Sequence, residues 1–279
     1  MGECKIADRI NAIESRVLTD EARYERGEYS SIAEVGVPSA RDAMLIGNGY
    51  LTLGECSRAQ VWYDDSADGW TWKFETAIDM ALDKGDTISG VKWRHGHKVL
   101  RTALLSGSEE RLSETCATVM EVLDTIPEDL RGNASHFHFC HALIAFSADA
   151  LSIDQEVGLP KHRVIEWLAE DADDSEELSE VFYRSYHTVL SGITSGDVSQ
   201  IERGIERLTE YHEPVYVEDP YTDLSNDPNA VLEHCLALDA CTAMVLARLH
   251  GFDPTVESEY LPSSISDAEC YPIGSLESP

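Results

Sequence analysis

Apolar residues recur at three- and four-residue intervals along most of this chain, and the strict alternation of a half-buried strand is scarce. In DRINAIESRV, Ile6, Ile10, Ile13 and Val17 fall on one face of a helix. Leu45, Tyr50, Leu53, Cys56 and Val61 predict a further helix from Ala43 to Tyr63, loosened by Gly47 and Gly49. Trp70, Phe74, Ala77, Ile78 and Ala81 form the next stripe, which stops at Gly85.

Two later segments share a plan. In the first, a helix carrying Trp93, Val99, Leu100 and Leu104 turns through SGSEE into a return helix carrying Leu112, Cys116, Val119 and Leu123. Ser108 is placed to cap the return helix, and the acids behind it suit the positive end of the helix dipole. Eighty-nine residues later the pattern recurs. Leu100 aligns with Val189, Leu104 with Ile193, Gly107 with Gly196, Leu112 with Ile201, Cys116 with Ile205 and Val119 with Leu208. The shared Ser-Gly turn makes this a weak internal duplication of helix–turn–helix units, too irregular for a strict solenoid.

Between the two units, HFHFCHALIAFSADAL predicts a helix capped by Asn133 or Ser135, with Phe137, Cys140, Ile144 and Leu151 as its buried stripe. EDADDSEE reads as a solvated connection, with Asp174 or Ser175 capping the next helix. Residues 213–229 carry three prolines and no period. NAVLEHCLALDACTAMVLARLHGF then predicts one long helix closed by Gly251. The segment after it is extended, and residues 266–279 read as a loose tail. The fold class expected is all-α: an irregular array of packed helical hairpins with an extended C-terminal segment capping the last helices. Residues 1–279 form one domain on this reading, with 1–130 and 131–265 as the alternative halves.

Composition narrows the setting. The chain has 52 acidic and 21 basic residues, a net charge of −31, and the basic set holds only six lysines. The acids are spread along the whole length, as suits a protein of a high-salt cytoplasm, where a Debye length of about 3 Å at molar salt screens self-repulsion. No basic stripe exists to neutralise phosphates, so nucleic acid is not an expected partner. No apolar run approaches the roughly 18 residues of a membrane span, and the N-terminus lacks the apolar core of a secretory signal, which predicts a cytoplasmic protein. The seven cysteines form no CxxC pair and are odd in number, so they are expected as buried thiols without disulfides.

Candidate chemistry is thin. HFHFCH places His136, His138 and Cys140 close together, but on a helix His138 points about 160° from Cys140, so the three do not gather on one metal. His95 and His97 likewise lie on different sides of their helix. The aromatic segments VWYDDSADGWTWKF, VKWR and VFYRSY suggest a ligand cleft, yet the helical spacing of Trp70, Phe74 and Ile78 favours core. Phosphate-binding glycine motifs, HExxH and GxSxG are all lacking.

The stretch LEHCLALDACTAMVLARLHGFDPTVESEYLP, Leu232 to Pro262, resembles the ending of the immunity protein 49 family of bacterial polymorphic toxin systems. The resemblance rests on Leu238, Asp239, Leu246 and Ala247 in a helix and Gly251 in a turn. Val256, Ser258, Tyr260, Leu261 and Pro262 carry it through the tail. It implies an all-α protein without enzymatic activity or cofactor, whose partner is a protein toxin neutralised by binding. The rival readings are a metal-dependent all-α hydrolase using His136, His138 and Cys140, and a general helical scaffold. Independently of the family, a strip bearing Val256, Tyr260 and Leu261 is suited to lie in a groove between helices and close the array.

Overall fold

The first apolar stripe becomes helix α1 (Glu3–Glu25), with Ile6, Ile10, Ile13 and Val17 all buried. The structure, a computed structural model, describes residues 3–25, 40–132, 134–152, 159–173, 177–217 and 229–274. It continues with α2 (Ala40–Thr52), α3 (Cys56–Leu82), α4 (Gly90–Leu105), α5 (Glu109–Asp124) and α6 (Ala134–Ala150). After these come α7 (Lys161–Asp173), α8 (Glu177–Ser195), α9 (Val198–His212), α10 (Ala230–His234) and α11 (Leu238–Leu249). The described residues contain no strand beyond an isolated bridge between Ser258 and Leu261, so the fold is all-α. None of these helices is long and apolar enough to cross a membrane.

Short connections place successive helices side by side, α2 on α3, α3 on α4, α7 on α8 and α8 on α9. Two helices, α6 and α11, run through the middle. The expected stripe on α6 is too narrow a description: Phe137 and every residue from Phe139 to Ala148 are buried, so the helix is enclosed by neighbours on all sides. Leu151, just beyond it, is only partly buried. The caps expected at Asn133, Asp174 and Ser175 lie outside the described residues.

Two predicted helices are broken in the structure. The segment from Ala43 to Tyr63 divides at Gly54, whose φ of +77° is one that L side chains rarely adopt. The new helix starts in a different phase, which turns Val61 outward to 61% exposure. The segment from Asn229 to Gly251 divides between α10 and α11, where the Ala237 amide leaves the helical pattern and donates to the Tyr260 carbonyl at 2.9 Å. Local periodicity carries no information about a strip that arrives from more than twenty residues downstream.

The duplication holds down to its caps. Gly107 and Gly196 both take a left-handed conformation, at φ +67° and +73°. Ser108 accepts the Arg111 amide, and Asp197, its counterpart, accepts the Gln200 amide. The two units differ in how closely their helices approach. In α8 and α9 a Cβ added at Gly204 would lie 2.9 Å from the Ser185 carbonyl oxygen, and one at Gly192 would lie 2.9 Å from the Ile201 nitrogen. The matching positions in α4 and α5 hold Ala103 and Thr115, and those helices pack together less extensively. Gly204→Ala should therefore force α8 and α9 apart. A strain cost of about 1–3 kcal/mol outweighs the gain in helix propensity of at most about 1 kcal/mol. Urea unfolding at constant salt should show the loss, and an unchanged or raised midpoint would refute the close approach.

The C-terminal segment does more than close one end. Thr255 donates its amide to Glu202 on α9, the Tyr260 ring meets His212, and Leu261 is buried. The chain then crosses to the other helices. The Ser264 hydroxyl donates to the Leu51 carbonyl at 2.9 Å, and Ile265 is fully buried. Residues 266–274 are not loose as the sequence suggests. Tyr271 is buried and donates its hydroxyl to the Leu105 carbonyl at 2.7 Å, while buried Arg248 donates to the Tyr271 carbonyl at 2.8 Å. Cys270 forms a disulfide with Cys56, which overturns the expectation that every cysteine is a free thiol. Cys116, Cys140, Cys235 and Cys241 are free and buried. The strip thus joins α9 and α11 to the start of α3 and the end of α4.

Candidate functional site

The histidine-rich start of α6 does not bring its described side chains together as a set of metal ligands. His136 Nδ1 is hydrogen-bonded to the Tyr183 hydroxyl at 3.2 Å. His138 stacks on Trp167 and lies 3.1 Å from both carboxylate oxygens of Asp171. Cys140 is fully buried, its thiol pushed up to about 12 by that burial. The hydrogen bonds and ring contacts of the three side chains do not converge on one point. Among the described residues no three His, Cys, Asp or Glu side chains are grouped as a metal ion requires. His95 and His97 also part: His95 faces Trp70, and buried His97 donates Nε2–H to the His136 carbonyl at 3.2 Å.

What His136 and His97 do share is a wall. They border a cleft of about 370 Å³ between α4, α8 and α9, with α2, α10 and the start of α11 closing its other sides. Helix α4 contributes Arg94, Lys98 and Arg101, spaced i, i+4 and i+7, so that all three face the same way. From α8 come Phe182 and Tyr183, and from α9 Tyr211 and His212. The aromatic segment VFYRSY is therefore partly a cleft wall, whereas Trp70 and Trp93 are core, as their spacing implies.

The floor is an ion pair taken out of water. Arg101 and Asp239 meet at 2.7 Å with side chains only 9% and 6% exposed. Tyr186, buried beneath, donates its hydroxyl to the Asp239 carbonyl at 3.1 Å and lies 3.3 Å from its carboxylate. Asp239 also stands in the first turn of α11, where the helix dipole favours a negative charge. The other acid of the cleft, Glu233, accepts from Arg41 at 2.9 Å. On the α2 side, Asn48 donates to the Leu232 carbonyl at 3.1 Å and accepts from the Tyr63 hydroxyl at 2.9 Å.

Burial sets the protonation of these groups. It lowers His136 to about 4, with Arg94 and Arg101 adding to the effect, and lowers His97 well below the usual imidazole range. Both are neutral at pH 7 and act as hydrogen-bonding groups. Lys98 is pushed down to about 8, chiefly by burial and against the pull of Glu233. It remains mostly protonated at neutral pH.

The residues of the C-terminal resemblance fall into two groups. Leu238 and Asp239 line the cleft. The other eight build the strip and its anchor. Leu246 and Ala247 are fully buried, Gly251 ends α11 at φ +83°, and Val256 packs partly buried against the core. Ser258 accepts the Tyr260 amide, Tyr260 meets His212, Leu261 is buried, and Pro262 leads into the short 3-10 turn of Ser263–Ser266. Periodicity reads α4 only by Trp93, Val99, Leu100 and Leu104, which leaves its basic face out. Three cations at i, i+4 and i+7, in a chain with so few, were the available signal.

The family model for immunity protein 49 matches residues 63–265, which covers the cleft apart from its α2 side. Comparison with curated proteins and with solved structures finds no match.

Proposed function

Because the chain belongs to the immunity protein 49 family, a family of immunity proteins of toxin systems, we propose that it neutralises its toxin by binding it one to one. On this reading it covers the surface through which the toxin acts and carries out no chemistry of its own. The observation that carries the proposal is the family match over residues 63–265.

The outer face of α3 supports it. Val61, Asp65, Asp68, Trp72 and Asp79 are all exposed and fall within a narrow arc at about 100° per residue, with Trp72 56% exposed at the centre. A solvent-facing Trp in line with the carboxylates of Asp65, Asp68 (itself held by Arg111) and Asp79 matches a partner that offers an apolar pocket with a basic rim. Tryptophan is also among the side chains that dominate binding energy when a partner covers them. In salt the acidic rim speeds encounter only modestly, so the apolar contact would carry most of the affinity.

The spread acidity supports a salt-rich setting and disfavours nucleic acid as a partner. The Cys56–Cys270 disulfide suits an oxidising environment and so weighs against the cytoplasmic location expected from the sequence.

The test of the surface is calorimetry against the protein encoded by the adjacent reading frame. Trp72→Ala should weaken binding about thirtyfold or more, while the chain keeps its melting temperature because Trp72 supports little of the core. Unchanged affinity would remove the α3 face from the interface.

A further inference from the structure

The cleft has charge left over. Among the described residues its two acids are both matched, Asp239 by Arg101 and Glu233 by Arg41. That leaves Arg94 and Lys98 as surplus cations on one wall. Lys98 is half-buried, and its ammonium lies 4.3 Å from the centre of the Trp70 ring. Among the described residues its ammonium makes no hydrogen bond or ion pair. A half-buried ammonium has given up part of its hydration and regains it when an anion arrives.

The overall charge of −31 does not forbid this. At physiological salt the Debye length is about 8 Å, so the nearest charges decide what the cleft attracts. Its volume of about 370 Å³ lies in the range of small-molecule sites, roughly 300–1,000 Å³. Phe182, Tyr183 and Tyr211 supply flat apolar surface opposite the cations. Polar groups on one side and aromatic rings on the other suit a molecule with a charged head and an apolar body.

We propose that this cleft binds a small organic anion, with Lys98 and Arg94 holding a carboxylate or phosphate head and the aromatic wall packing the body. The site is separate from the α3 face and does not depend on the toxin reading. Because Lys98 sits near 8, the affinity should fall as pH rises from 7 to 9. The charged groups that face it are Glu233, Arg101, Arg41 and Lys73.

Phenyl phosphate, benzoate and phenol test this, since they present two anionic heads and a neutral hydroxyl on one ring. Titrations would be run at the lowest salt at which the far-UV spectrum stays native, to limit competition from chloride. At least one of the two anions should bind while phenol does not, and the tighter one identifies the preferred head. Lys98→Met should weaken that binding about tenfold or more, and Lys98→Arg should retain most of it. Arg94→Ala, at an exposed position that leaves the core intact, should act in the same direction as Lys98→Met. Lys73→Met, on the same Trp70 ring but outside the cleft, should weaken binding far less than Lys98→Met. Absence of binding by both anions, equal binding by phenol, or full affinity in folded Lys98→Met and Arg94→Ala would overturn the proposal.

Discussion

Replacing Arg101 by Met should lower the free energy of unfolding by about 3–5 kcal/mol. The cost comes from Asp239, which keeps its negative charge in a site where its side chain is 6% exposed. The Tyr186 hydroxyl then remains near it, at 3.3 Å from its carboxylate. Lost packing adds to the effect, since the guanidinium also lies 5.6 Å from the ring centres of Phe139 and Phe182. The double replacement Arg101→Met with Asp239→Leu removes both charges and should recover most of the stability, because a buried ion pair is worth little against an apolar pair of similar size. Urea melts of the two variants at constant salt separate the cases. A single variant within about 0.5 kcal/mol of the parent would mean that the floor of the cleft is wetter than its geometry indicates.

Reducing the disulfide should have an effect of similar size. Cys56 and Cys270 are separated by 214 residues, and closing so long a loop removes chain entropy worth about 5 kcal/mol from the unfolded state. Native disulfides commonly contribute about 2–5 kcal/mol, so reduction should shift the unfolding midpoint clearly. Cys270→Ser should reproduce the shift without reductant. Part of the structure should resist, since Tyr271 and Arg248 hold the same segment by hydrogen bonds. Superimposable melts with and without reductant would show that the cross-link adds nothing to stability.

How much of the fold is legible in the sequence depends on the range of the signals. The α1 stripe, the duplicated hairpins and the Ser108 cap are encoded within a few positions of one another, and they appear in the structure as the sequence predicts. Gly54 marks the failure of the same method at short range. A helical period continues formally across it, but the left-handed turn resets the phase, and Val61 faces water. The enclosure of α6 is legible only in part, because a period describes one face and HFCHALIAFSA is buried on nearly all of them.

The features that make a site were hidden for another reason. The Arg101–Asp239 pair, the disulfide and the contact from Ala237 to Tyr260 each join residues far apart in the chain or across a break in a helix. Each is a consequence of packing and leaves no local pattern. Histidines drew attention by their density, yet His136 and His97 serve as neutral wall groups, and His138 belongs to Asp171 and Trp167 on another side. The C-terminal resemblance pointed to the family. Only the structure showed that Asp239 sits beneath a cleft while Tyr260 and Leu261 belong to a strip that joins distant helices.

The central claim, neutralisation by one-to-one binding, is tested most directly by titrating the toxin's activity with the purified chain. The toxin would be the product of the adjacent reading frame, held at a concentration well above the dissociation constant. Residual activity should fall in a straight line and reach zero at one molar equivalent. Inactivation by a small fraction of an equivalent would reveal catalysis, and full activity with the chain in excess would contradict neutralisation by binding.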